Sequence, residues 1–225
     1  MKRILIIIVK LTLFSILLIS CKKKNEETSK VILPDDIVYT DISPDTSFTS
    51  ISGWFDTGGF GVLPIPDDST AGMALDFDQD GLPDLQFTIS TEYKFVSASN
   101  PWANYNFHSE IIALDTNDSV ASVGRYSVNH YIAKSFTKDS LIAGNSAFST
   151  KGFMYGAGIS TINLPAPTEE TYYGLKIAKN GGFIYGWILI NINPASVNKA
   201  SNILTLKEYA MNLTLNNPIK AGQKK

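Results

Sequence analysis

From Ile37 onward, short apolar or alternating runs are broken by clusters of Gly, Pro, Asn, Asp and Ser. Leu85-Gln86-Phe87-Thr88-Ile89 alternates cleanly and predicts a half-buried strand. Phe183 to Ile192 is apolar on both faces, which predicts a central strand covered on each side. The stretch from Asn193 to Lys199 then reads as a hairpin loop leading into Ile203–Leu215. In that second run Leu204 and Leu206 share a face, after which Tyr209, Met211 and Leu213 take over. The period-two register therefore slips near Lys207-Glu208, as a β-bulge would make it do. No window after Cys21 carries an amphipathic helix. The pattern predicts an all-β chain of about ten to thirteen strands, arranged as a two-sheet β-sandwich or jelly-roll-like single domain over residues 36–225.

The first 35 residues follow another pattern. A positive start, Met1-Lys2-Arg3, leads into an apolar run from Ile4 to Ile19 interrupted only by Lys10, Thr12 and Ser15. Ser20 then precedes Cys21, the only cysteine. That order belongs to a secretory signal ending in a cleavage site, and the run is shorter than the roughly 20 residues that span a bilayer. Leu18-Ile19-Ser20-Cys21 resembles the lipobox of bacterial lipoproteins. The resemblance implies a signal peptide over residues 1–20 and Cys21 as the lipidated first residue of the mature protein. A palmitate-bearing, triacylated cysteine holds a protein at the membrane durably. Residues 21–35 read as a polar tether. Lys22 stands where an inner-membrane retention signal would favour Asp, so the expected location is the outer membrane. Lys22-Lys23-Lys24-Asn25-Glu26-Glu27 is similar to the export signals of Bacteroidota-type surface lipoproteins, which implies the cell surface. A solvated, charge-rich tether is the alternative.

Composition narrows the function classes. The signal would remove three of 19 basic residues, leaving 16 against 21 acidic ones, a mature charge of −5. Arg125 is then the only arginine, so the basic face a nucleic-acid binder needs is missing and no nucleic-acid partner is expected. With Cys21 consumed by lipid, disulfides, cysteine nucleophiles and thiolate metal sites are excluded.

Candidate chemistry concentrates in Asp76-Phe77-Asp78-Gln79-Asp80-Gly81-Leu82-Pro83-Asp84. Oxygen ligands at positions one, three, five and nine around a glycine turn suit Ca2+, and carboxylates this close repel one another without a cation. Asp76, Asp78, Asp80 and Asp84 are the expected ligands of a structural calcium ion. An Asp/Gly turn without metal is the alternative. Position twelve is Phe87 rather than a bidentate glutamate, and the flanks read as strands, so the loop is not an EF-hand. It resembles the calcium loops of thrombospondin type 3 repeats, dockerins and FG-GAP propeller blades. One copy of the loop implies neither a propeller nor a dockerin. Together with Val38–Asp45, Tyr185–Ile188 and Lys207–Ala210, it is similar to a largely uncharacterised family of secreted bacterial β-rich domains. That resemblance implies the fold and the calcium loop and no particular activity.

Two aromatic loops could hold a ligand, through Trp54 in Gly53–Gly61 and through Trp102 and Tyr105 in Asn100–His108. Glycan sites pair such rings with amide or carboxylate side chains; plugging the ends of a sandwich is the simpler role. No catalytic constellation is visible. His108 and His130 lack metal spacing, and Val120-Ala121-Ser122-Val123-Gly124 lacks the first glycine of a serine elbow. Glu92, Glu110 and Glu208 could in principle supply a glycosidase pair, but Glu110 and Glu208 read as solvent-facing strand residues. Asp68-Ser69-Thr70, Asp118-Ser119-Val120 and Asp139-Ser140-Leu141 resemble Bacteroidota-type O-glycosylation sequons, which implies surface loops; ordinary polar turns are the alternative. The expected function is a lipid-anchored, non-catalytic binding or structural module with a glycan, polymer or envelope-complex partner. A hydrolase acting on a surface polysaccharide is the alternative.

Overall fold

The computed structural model describes residues 36–51, 53–56, 62–65, 69–93, 105–127, 130–158, 164–194 and 201–225. The signal, Cys21 and the tether lie outside the described residues. Among the described residues the chain is all strand and turn. In chain order the strands are β1 (Ile37–Ile51), β2 (Gly53–Asp56), β3 (Val62–Ile65), β4 (Ser69–Leu75), β5 (Leu85–Tyr93), β6 (Tyr105–Ala113), β7 (Ser119–Ser127) and β8 (His130–Ala133). They continue with β9 (Ser135–Phe136), β10 (Leu141–Ile142), β11 (Phe148–Ser149), β12 (Lys151–Gly158), β13 (Thr171–Lys179), β14 (Gly182–Asn193), β15 (Ser201–Asn212) and β16 (Ile219–Lys220). The excess over the expected number comes from two-residue strands, which no hydrophobic period can announce.

Hydrogen bonding runs in one path, β1-β15-β14-β13-β7-β8-β12-β6-β5-β4, with β9 and β11 as short additions and β10–β16 and β2–β3 as separate pairs. Neighbours along the path are antiparallel except β8 and β12. The path bends back on itself, so that β1 and β15 face β5. One core fills the space between the arms. Phe87, Ile89, Phe107 and Ile111 enter it from one arm, and Leu175, Ile188, Leu204 and Leu206 from the other. The described domain is thus a sandwich-like pair of layers joined through β7 and β8.

A second core lies on the opposite face of β13–β15. Tyr185, Trp187, Leu189 and Ala210 are covered there by Phe136, Ile142, Ile219 and Ala221. This explains the two apolar faces of β14: Ile184, Ile188 and Ile190 enter the first core, and Tyr185, Trp187 and Leu189 the second. Gly186 shows how closely this strand is packed, because an added Cβ would stand 2.6 Å from the Ala210 carbonyl oxygen and nearer still to the Met211 sulfur. Gly186→Ala is therefore expected to destabilise by about 1–3 kcal/mol through overpacking, read by urea unfolding. A midpoint equal to wild type would contradict that packing.

The register slip is also present. Leu189 pairs with Glu208 and Ile190 with Leu206, leaving Lys207 as the bulged residue. Its ammonium is held 2.6 Å from Glu170 and 3.2 Å from Asp45.

Candidate cation site

Phe77 anchors the aspartate loop. Its ring is buried, edge-on to Tyr209 at 4.9 Å and to Phe87 at 6.2 Å. With Phe77 turned into the core, alternation leaves Asp76 and Asp78 at the rim. Gln79 and Gly81 take left-handed backbone (φ 60° and 95°), which turns the chain sharply. Asp84 then returns beneath the loop, and its Oδ2 accepts the Phe77 and Asp78 N–H groups at 2.6 and 3.3 Å.

Asp76, Asp78 and Asp84 each bring a carboxylate oxygen within 4.8 Å of the other two. Asp80 is not part of this trio; its Oδ1 accepts the Leu82 N–H at 2.8 Å and its side chain stays exposed. Asp76 accepts the N–H groups of Gln79 and Gly81, and Asp78 that of Asp80. Lys179 reaches in from β13, with Nζ 3.4 Å from the Asp78 carboxylate and 2.9 Å from its carbonyl oxygen.

A second loop completes the surroundings. The Leu114 N–H donates to the Asp84 carbonyl at 2.9 Å, binding the β6–β7 turn to the aspartate loop. A cavity of about 370 Å³ opens between them, walled by Asp78, Asp80, Asp84, Asp115 and Asp118, with Leu82 and Leu114 beside them. Asp118 is buried, and its Oδ1 accepts the Ala178 N–H at 2.8 Å. Desolvation pushes the Asp84 carboxyl up to about 6, helped by the Asp118 and Asp78 charges and opposed by the Phe77 hydrogen bond. Asp118 is raised as well, by burial first and by Asp115, Asp78 and Asp80 after it. A cavity lined by carboxylates alone among its charged groups, two of them resisting ionisation, has the donor chemistry of a hard-cation site.

No family model matches the chain, and no curated protein or solved structure matches it either.

Asp115, Asp118 and Lys179 were not among the candidates read from sequence. The signal that could have found two of them is the β5–β6 hairpin. Leu85 pairs with Ala113, so the start of β5 and the end of β6, and with them Asp84 and Asp115, share one end of the sheet. Trp102 lies outside the described residues, as do the side chains of Trp54 and Tyr105.

Two side-chain expectations are corrected. Glu110 is buried, not solvent-facing: it pairs with Lys151 at 2.6 Å and stands 3.7 Å from His108 Nε2, whose Nδ1 has no partner. Glu208 is half-buried, accepting hydrogen bonds from Tyr39 and Lys224. Of the sequon-like triplets, Asp118-Ser119 is also buried, so it offers no surface acceptor. Glu92 pairs with Asn106 and Glu110 with Thr88, which sets the two glutamates four residues apart along the sheet. At about 3.4 Å per residue their backbone positions lie roughly 14 Å apart along the strands.

Proposed function

We propose that this chain is a lipid-anchored protein of the outer membrane, exposed toward the cell surface. In this reading its β-sandwich serves as a non-catalytic binding or structural module, stabilised by Ca2+ at the aspartate loop. The observation that carries the cation is the joint acidic cavity. Asp76, Asp78 and Asp84 converge within 4.8 Å, and Asp118 closes the far wall from a second loop. Calcium takes 6–8 oxygen ligands, and carboxylates already accepting one or two backbone N–H groups keep further lone pairs to offer. Such an ion would offset the repulsion among the carboxylates of the two loops, which is a structural role. A glycan, polymer or envelope-complex partner remains the expected ligand class.

The test is thermal unfolding of the full-length chain in detergent, with calcium and with chelator. Calcium should raise the midpoint in wild type and leave Asp78→Asn/Asp84→Asn unmoved; equal midpoints in wild type would remove the ion from the reading. For the anchor, Cys21→Ser should move the protein from the membrane fraction to the soluble fraction and abolish labelling by a palmitate analogue. Unchanged labelling would sink lipidation at that residue.

A further inference from the structure

On the other side of the β6–β7 turn from the acidic cavity lies a second cavity, of about 280 Å³, lined among others by Asn117, Ser119, Tyr131, Phe148 and Lys176. Its charged lining residues are Asp118 and Lys176. Asp118 borders both cavities, but its carboxylate is tied to the Ala178 N–H, and Ala178 lines the acidic one. Lys176 supplies the positive group of this cleft. It forms no ion pair among the described residues and is held between two rings, 5.0 Å from the Phe148 centroid and 4.4 Å from that of Phe183. Those rings position the ammonium without neutralising it. A second cation, Arg125, stands 5.9 Å over the Tyr131 ring on the cleft wall.

The polar groups around Lys176 are of mixed kind. Asn117 donates from Nδ2 to Asp115, which leaves its carbonyl oxygen for another donor. Ser119 pairs with Lys176 across β7 and β13, is buried, and its Oγ has no hydrogen-bond partner. An unmatched buried hydroxyl costs about 1–3 kcal/mol. The Phe148 ring adds an apolar face. A positive charge, hydroxyl and amide groups and one aromatic face, in a volume near the lower end for ligand pockets, match a single sugar unit carrying a carboxylate.

We infer that this cleft binds an acidic sugar residue, with Lys176 taking the carboxylate, Asn117 a hydroxyl, and Phe148 the C–H face. The inference rests on the binding-module reading and gives it a site and a ligand class. It does not require the cation loop.

The experiment is calorimetric titration of the full-length chain in detergent with glucuronate, and with glucose as the neutral control. Saturable glucuronate binding at least tenfold tighter than glucose is expected. Lys176→Met should weaken it tenfold or more, and Lys176→Arg should restore most of it. Equal affinity for glucose, no saturable binding, or a Lys176→Met variant that binds as wild type would each overturn the inference. A calcium-dependent midpoint without glucuronate binding would overturn the cleft alone. Glucuronate binding without a calcium effect would support the cleft and overturn only the cation part of the broader reading.

Discussion

Trp187→Ala lowers the thermal midpoint by roughly 6–20 °C, since losing a buried tryptophan costs about 3–5 kcal/mol and a domain of this size shifts roughly 2–4 °C per kcal/mol. Trp187 is fully buried in the second core, edge-on to Tyr172 at 5.2 Å. Its Nε1 donates to the Gln223 carbonyl at 3.0 Å, so the ring also holds down the C-terminal segment. That segment is fastened further along by Lys224, which donates to Glu208 at 2.6 Å and to Tyr39 at 3.0 Å. Removing the indole therefore opens a cavity and releases the cover over it. Trp187→Phe, which keeps much of the volume and loses the hydrogen bond, should cost only about 1–2 kcal/mol beyond its smaller ring. Differential scanning calorimetry of both variants decides the matter; an alanine variant within about 3 °C of wild type would mean that the second core contributes little.

Asp84→Asn gives the second large effect, and its sign depends on calcium. In chelator at neutral pH the variant should melt higher than wild type, because the folded protein holds Asp84 against its preference for the neutral form. The asparagine oxygen can still accept the Phe77 N–H that Asp84 accepts now. In calcium the order reverses. With calcium at about a thousandfold its Kd, binding to the folded state is worth about 4 kcal/mol, a rise of roughly 8–16 °C for wild type, and the variant forfeits most of it.

The pH dependence follows from the same group. Asp84 is pushed up to about 6 in the folded chain, against about 3.9 when unfolded. The folded state thus binds the proton more tightly, and its contribution to stability is present at low pH and lost as pH rises through about 4 to about 6. In chelator, the midpoint advantage of Asp84→Asn over wild type should be small near pH 4 and grow to a plateau above pH 6. A flat difference across that range would show that Asp84 carries no such penalty.

Much of the fold was legible because two-residue periodicity records burial directly. The alternation of Leu85–Ile89 marked β5, the doubly apolar Phe183–Ile192 marked the central β14, and the exchange of Leu204 and Leu206 for Tyr209 and Met211 marked the bulge at Lys207. Each is a local statement about which face of a strand meets a core. The aspartate loop was legible for a similar reason, since ligand spacing within nine residues is a property of the chain alone.

Pairing between distant segments was not legible. Asp118 stands 34 residues beyond Asp84, and they border one cavity only because the β5–β6 register returns the chain to the same sheet end. Glu110 looked solvent-facing because nothing nearby in sequence announces Lys151, which β12 brings to it from the neighbouring strand. Lys176 likewise acquires its place between Phe148 and Phe183 from β14, which pairs with β13, and from β11, which pairs with the β7 beside it. By itself the sequence determined strand identity, the bulge and one acidic turn, because these depend on residues within a few positions of each other. Which charges are neutralised and which are left facing a cavity was decided by tertiary structure, because charge interactions depend on distance through space and on what has been excluded from water.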